Sequence, residues 1–76
     1  MTTKEKKMLF DENELFNKRV DVYFGKGYIA KGYILEIQHN RYYMRLEGVT
    51  MYAITFALSE VKHIDLIQNG VTTRIF

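Results

Sequence analysis

Residues 28–37 decide the fold: they read Tyr28-Ile29-Ala30-Lys31-Gly32-Tyr33-Ile34-Leu35-Glu36-Ile37. The apolar residues of this run do not keep to one face of a straight strand, and Gly32 stands in its middle. A glycine inside a strand marks a bulge or a sharp bend. A bend at Gly32 would turn both Ile34 and Ile37 inward. The run therefore predicts a β-strand that curls a small sheet into a barrel.

The segments around this run alternate apolar and polar residues with a period of two, which is typical of strands with one buried face. Such alternation covers residues 20–24, 42–46 and 50–58, and residues 61–67 form the last strand of the core. A single tight turn is predicted over residues 58–61. Five strands at short spacing, one of them bent, predict an all-β fold with the architecture of a small SH3-like or Sm-like barrel.

The two ends of the chain complete the predicted domain. Residues 8–17 are interpreted as a short N-terminal helix that Asp11 caps, with Leu15 and Phe16 packed against the barrel. Asn69-Gly70 is a strong hairpin signal, so residues 71–76 could add a short sixth strand. The predicted organisation is a flexible tail over residues 1–10, a barrel over residues 11–67, and a turn with a possible strand over residues 68–76.

Composition narrows the classes of function. The chain has 76 residues and no cysteine, which excludes disulfides and thiolate metal sites, and its apolar runs are too short for a membrane span. We therefore expect a cytoplasmic protein without cofactors. Residues 18–76 contain eight Lys/Arg and five Asp/Glu, a net charge of +3. This charge permits a nucleic-acid partner without requiring one. A core this small also favours oligomerisation.

The pattern of residues 14–67 resembles the Sm-like family, in particular the first Sm motif of bacterial Hfq-type proteins. The resemblance consists of the short helix leading into strand 20–24, the turn at Gly27, the bent strand with Gly32, Ile34 and Ile37, and a third strand ending near Leu46. The second motif does not match Hfq. Where Hfq-type proteins carry a Tyr-Lys-His signature, residues 52–59 of this chain contain neither lysine nor histidine.

The resemblance implies a homo-oligomeric ring that binds single-stranded RNA and acts in post-transcriptional regulation. Sm-like rings form when the strand before the tight turn pairs with the last strand of a neighbour. Here that implies an oligomer interface of Tyr52, Ile54, Phe56, Val61, Ile64 and Leu66.

RNA would contact side chains on a ring face or rim. Aromatic rings stack on unpaired bases while Lys and Arg hold phosphates, so Tyr23, Tyr33 and Tyr43 are stacking candidates beside basic residues. The predicted RNA-binding residues are Lys31, His39, Asn40, Arg41, Tyr43 and Arg45.

The sequence leaves other functions open. An SH3-like protein-interaction module would use its tyrosines to line a groove for an extended partner. A small accessory or regulatory protein, for example one that binds double-stranded DNA through Lys and Arg alone, is a third possibility. No nucleophile, base and orienting residue can be assembled, and His39 and His63 have no spaced carboxylate partners for a metal. The sequence therefore predicts a protein that is not an enzyme.

Overall fold

The computed structural model describes residues 11–48 and 53–76. The chain forms a short 3₁₀ turn, Glu12–Glu14, and six strands, with a second 3₁₀ turn, Leu58–Glu60, between the fourth and the fifth. The strands are β1 (Arg19–Gly25), β2 (Tyr28–Gln38), β3 (Arg41–Leu46), β4 (Ala53–Ala57), β5 (His63–Gln68) and β6 (Val71–Arg74).

The six strands form one sheet in the order β4-β3-β2-β1-β5-β6, and every neighbouring pair is antiparallel. The all-β prediction is confirmed. The expected strand count of five is corrected to six, because Asn69-Gly70 turns the chain back along β5. Asn69 and Gly70 have φ angles of 51° and 76°, the left-handed conformation that a tight two-residue hairpin turn requires.

The predicted N-terminal helix is wrong over its described part. Residues 12–14 form a single 3₁₀ turn, and the Asp11 side chain caps it by accepting from the Asn13 amide at 2.9 Å. Asn17, at φ 64°, then turns the chain, and its amide donates to the Ile34 carbonyl at 2.8 Å, which leads directly into β1. Two helical turns would gain too little to resist this pairing. Residues 8–10 of the predicted helix and the predicted tail over residues 1–10 lie outside the described residues.

Only one of the two apolar residues after this turn is buried as expected. The Leu15 side chain is 1% exposed and belongs to the core, whereas Phe16 is 39% exposed. Phe16 forms an isolated bridge to Ile34 of β2. It therefore lies against the sheet without being enclosed by it.

The irregularity of β2 lies three residues beyond Gly32. The register of β2 with β3 shifts between Ile34 and Glu36, which makes Leu35 a bulge residue with its side chain exposed. A bulge changes which face the following residues occupy. Ile34 and Ile37 consequently both reach the core, as expected, although the device that turns them inward is the extra residue Leu35.

Gly32 serves a different purpose, which is the close approach of β2 and β3. It pairs in regular register with Val20 on one side and Leu46 on the other. A Cβ atom at this position would overlap the Arg45 carbonyl oxygen and lie 2.9 Å from its carbonyl carbon. The atoms in the way belong to backbone, so they cannot rotate aside, and only glycine fits here.

The hydrophobic core packs against one face of the sheet. Alternate residues of β1, β3 and β5 are buried, as in Val20 and Val22 of β1 or Tyr42 and Met44 of β3. The core is completed by Ile75 and Phe76, which follow β6 and are 2% and 7% exposed. The buried apolar residues are Leu15, Val20, Val22, Ala30, Ile34, Tyr42, Met44, Phe56, Val61, Ile64, Leu66, Ile75 and Phe76.

We predict that Gly32→Ala lowers the free energy of unfolding by about 1–3 kcal/mol, because the added methyl group forces β2 and β3 apart. Urea denaturation followed by circular dichroism measures the change. Gly27→Asn is the matched control: nothing lies within 4 Å of a Cβ at Gly27, and asparagine tolerates its φ of 79°. Equal stability of Gly32→Ala and the parent chain would contradict the steric role of Gly32.

Candidate nucleic-acid interface

All six predicted RNA-binding residues lie on one hairpin, formed by β2, the two-residue turn after it, and β3. Lys31 is on β2, His39 and Asn40 form the turn, and the other three follow on β3. Their strand positions alternate with the buried residues, so those on β2 and β3 face away from the core. We call this surface the outer face of the hairpin.

Arg41, Tyr43 and Arg45 form a stripe along β3, which we call the β3 stripe. Because they alternate with the buried Tyr42 and Met44, all three point to the outer face. Residues two apart in a strand are separated by roughly 7 Å. The stripe thus offers cation, aromatic ring and cation at even spacing along one extended segment.

The turn places two exposed polar residues at one end of the β3 stripe. His39 and Asn40 have φ angles of 50° and 63°, the left-handed conformation of a tight hairpin turn. Both are exposed. Asparagine adopts this conformation readily and histidine does so several-fold more often than most residues, which explains why this pair suits the turn. Their donors and acceptors lie next to Arg41.

At the other end of the stripe, Arg45 covers an aromatic ring on β2. The Arg45 guanidinium carbon lies 5.2 Å from the centre of the Tyr33 ring, a cation–π contact, and Tyr33 and Arg45 are directly opposite in the sheet. Lys31 stands two residues from Tyr33 on the same face, diagonally across from Arg45 at about 7–8 Å. The register therefore extends the line of cations from Arg41 to Lys31.

Three carboxylates border this line of cations. Arg41 lies 3.9 Å from a Glu60 oxygen, and both side chains are well exposed. Glu36 is opposite Tyr43 across the strand pair. Glu47 pairs with Arg19 of β1 at 2.8 Å, which occupies that carboxylate. In the ranges 11–48 and 53–76, Arg45 makes no ion pair, and its guanidinium instead lies over the Tyr33 ring.

Arg19 is the neighbour of the site that the sequence did not indicate. It lies opposite Tyr33 on the side away from Arg45, so Tyr33 stands between two arginines. Arg19 is held by Glu47 and by Asp21, whose carboxylate is 3.7 Å away. Nothing in the linear sequence shows this placement, because it depends on the register of β1 with β2.

The third tyrosine of the predicted stacking set lies apart from the β3 stripe. Tyr23 of β1 stacks on His63 of β5, with ring centres 4.0 Å apart and an angle of 23° between the rings. The His63 Nε2 atom is 3.9 Å from an Asp65 oxygen. His63 is therefore partly buried, and Tyr23 already has a ring partner within the chain.

The residues predicted for the oligomer interface mostly belong to the protomer's own core. Phe56, Val61, Ile64 and Leu66 are all less than 9% exposed, and Ile54 packs against them. Tyr52 lies outside the described residues. β5 pairs with β1 on one side and β6 on the other, so a neighbour's β4 would find no free edge on it. Strand pairing between chains would therefore need an edge other than that of β5.

The described residues show neither a metal-binding cluster nor a membrane-spanning helix. They contain no group of three or more His, Cys, Asp or Glu side chains that could hold a metal ion. Among the same residues there is no helix with the length and apolar content needed to cross a membrane.

Comparison with known proteins adds no further information about this hairpin. No protein-family model matches the chain, and neither a curated protein nor a solved structure shows significant similarity to it.

We predict that Tyr33 and Arg45 are energetically coupled. In a double-mutant cycle of Tyr33→Ala and Arg45→Ala, the coupling measured by urea denaturation should be about 0.5–1 kcal/mol, as expected for an exposed cation–π pair. The pair Tyr33 and Lys26 is the control, since Lys26 lies in the β1–β2 turn. Additive effects at Tyr33 and Arg45 would show that the contact contributes nothing.

Proposed function

We propose that this chain is a single-stranded RNA-binding protein that works as a homo-oligomer in the cytoplasm and uses the outer face of the β2–β3 hairpin. The observation that carries the proposal is the β3 stripe, in which Arg41, Tyr43 and Arg45, each partly exposed, lie on one face of the strand. The finer fold that accompanies it is an Sm-like barrel. The bulged second strand, the close approach at Gly32, and the 3₁₀ turn before β5 support that relation.

The chemistry of the stripe suits an extended strand with unpaired bases. Arginines at both ends of the stripe would neutralise phosphates, and the ring of Tyr43 between them would stack on a base. The amide of Asn40 and the imidazole of His39 add hydrogen-bonding groups for a base edge or the 2′-hydroxyl at the turn. Lys31 would contact a strand that continues past Arg45.

The affinity for RNA depends on which contacts the two arginines already make in the free protein. A phosphate must displace Glu60 from Arg41, but the distance of 3.9 Å and the exposure of both groups make that pair weak. Within residues 11–48 and 53–76, Arg45 has no carboxylate partner to lose when it contacts a phosphate. Two or three phosphate contacts give modest affinity with a clear dependence on salt.

We predict that Arg41→Ala and Arg45→Ala each weaken the binding of a labelled adenine-rich or uridine-rich oligoribonucleotide. Each substitution should also reduce the slope of log affinity against log salt concentration by about 0.7, the value for one phosphate contact on a single strand. Fluorescence anisotropy across a salt series gives both quantities. Lys26→Ala removes an exposed cation from the β1–β2 turn and serves as the control, with affinity and slope unchanged.

The ring of Tyr43 is tested separately from the charges. Tyr43→Ala should lower RNA affinity by about 1–3 kcal/mol for each stacked base, and Tyr43→Phe should retain it, since stacking needs the ring and not the hydroxyl. The same oligonucleotide as DNA tests the contribution of the 2′-hydroxyl. Absence of RNA binding by the parent chain at low salt would reject the proposed function.

One observation favours the second candidate function, a protein-interaction module of SH3-like use. Tyr28 is 53% exposed, and with Ile29 and Leu46 it lines a shallow apolar groove that Lys31 and Glu47 border. An extended peptide could lie in such a groove. Tyr28→Ala separates the two functions, because it alters this groove and leaves the β3 stripe intact. Loss of RNA binding in Tyr28→Ala would move the RNA site from the stripe to the groove.

A further inference from the structure

The bulge in β2 brings two side chains to the centre of the candidate interface. Ile34 and Ile37 are three residues apart and both reach the core, so the two exposed residues between them, Leu35 and Glu36, lie on the outer side. The register sets both of them against a single residue of β3, Tyr43. Bulges often re-aim side chains in this way next to functional sites. Tyr43 therefore has two neighbours on β2 where a regular strand would supply one.

Leu35 adds an apolar surface beside the Tyr43 ring. Its side chain is 44% exposed, although it has no polar atom that could bind water. A base stacked on the ring would cover part of this side chain and remove apolar surface from water. The apolar contact favours any base, so it strengthens binding without selecting among the four.

Glu36 differs from the other carboxylates at the interface because its side chain has no partner. It is exposed, and within residues 11–48 and 53–76 its side chain makes neither a hydrogen bond nor an ion pair. The two arginines of the β3 stripe stand on the neighbouring strand, two residues to either side of its partner Tyr43, and contact other groups instead. A free acceptor thus lies next to the ring that would hold a base.

A carboxylate in a line of cations weakens the attraction of the site for phosphate, so its favourable contacts with RNA lie elsewhere. It only accepts hydrogen bonds, which restricts it to the 2′-hydroxyls and to the donor groups of the bases. Every nucleotide of RNA has the hydroxyl, whereas the bases differ in their donors.

Guanine has the base edge that matches a carboxylate best. Its Watson–Crick edge presents two neighbouring donors, N1–H and the 2-amino group, which can pair with the two oxygens of one carboxylate. Adenine and cytosine present an amino group beside a ring nitrogen that accepts, and uracil presents N3–H between two carbonyl oxygens. An accepting pair of oxygens meets an unfavourable acceptor on each of these three bases.

We propose that the outer face of the hairpin selects guanine at the position of Tyr43. The ring of Tyr43 stacks on the base, the Leu35 side chain packs beside it, and the Glu36 carboxylate accepts from N1–H and the 2-amino group. This inference rests on the single-stranded RNA binding of the proposed function and names the base that is read there. The arginines of the stripe contribute phosphate contacts that are the same for every sequence.

Four labelled oligouridylates that differ only at one central position test the selection, with guanine, adenine, cytosine or uracil at that position. By fluorescence anisotropy, the guanine oligomer should bind about tenfold more tightly than the other three, as one bidentate contact to a base allows. Hypoxanthine in place of guanine lacks the 2-amino group and should lose most of the preference. Equal affinity for all four oligomers would overturn this inference alone. Absence of binding to any of them at low salt would reject the proposed function as well.

Glu36→Gln removes the negative charge and keeps the size of the side chain. It should abolish the preference for guanine while strengthening the binding of the other three oligomers, because the repulsion of phosphate is relieved. Glu60→Gln is the matched control: it removes the carboxylate 3.9 Å from Arg41 and should strengthen all four oligomers by one factor. If Glu36→Gln also strengthens all four by one factor, the carboxylate does not read the base and the inference is overturned.

Leu35→Ala tests the apolar contact. It should weaken the binding of all four oligomers by the same factor and leave the dependence of affinity on salt unchanged, because no phosphate contact is lost. Val71→Ala, which trims an exposed aliphatic side chain on β6, is the control and should bind as the parent chain does. Equal affinities of Leu35→Ala and Val71→Ala would overturn the assignment of Leu35 to this site.

Discussion

The structure depends on how closely β3 approaches β2 at Gly32. The Arg45 carbonyl occupies the space that any side chain at Gly32 would need. At this position β2 is paired with β1 on one side and with β3 on the other. The central pairing fixes the faces of both strands. Val20, Ala30 and Met44 then lie on the core side. Their neighbours along each strand lie on the outer face. Core and candidate site are thus two consequences of one backbone contact.

The sequence predicted most of the sheet because its signals are local. Period-two alternation identifies the strands, and Asn69-Gly70 identifies the last hairpin, since both depend on residues near each other in the chain. The bulge at Leu35 was not predicted, because a leucine gives no sign of a register shift. The glycine at position 32 indicated a bulge or bend there, whereas the shift lies between Ile34 and Glu36. The N-terminal helix failed for a related reason: its cap at Asp11 is real, but the pairing of Asn17 with Ile34 is a tertiary interaction.

The residues of the candidate site were chosen from the sequence, and the structure adds how they are arranged. Arg41, Tyr43 and Arg45 share a face in any strand, so their alignment follows from the sequence alone. The position of Tyr33 between Arg45 and Arg19 depends on two registers, one of them displaced by the bulge. The sequence also could not show whether β5 has a free edge for pairing with a neighbouring subunit. Whether residues 71–74 cover that strand depends on which way the hairpin folds.

The same sheet order has a consequence for how the chain folds. Four of the five strand pairings in the described sheet join strands that follow each other directly, β1–β2, β2–β3, β3–β4 and β5–β6. Such hairpins form in about 1–10 μs. The pairing of β1 with β5 joins Arg19 to Ile67, and the loop it closes spans nearly the whole sheet. Because the entropy of closing a long loop is lost before any contact rewards it, we expect this pairing to be the slow step of folding. The hairpin that carries the β3 stripe is thus local enough to assemble before the rest of the domain closes around it.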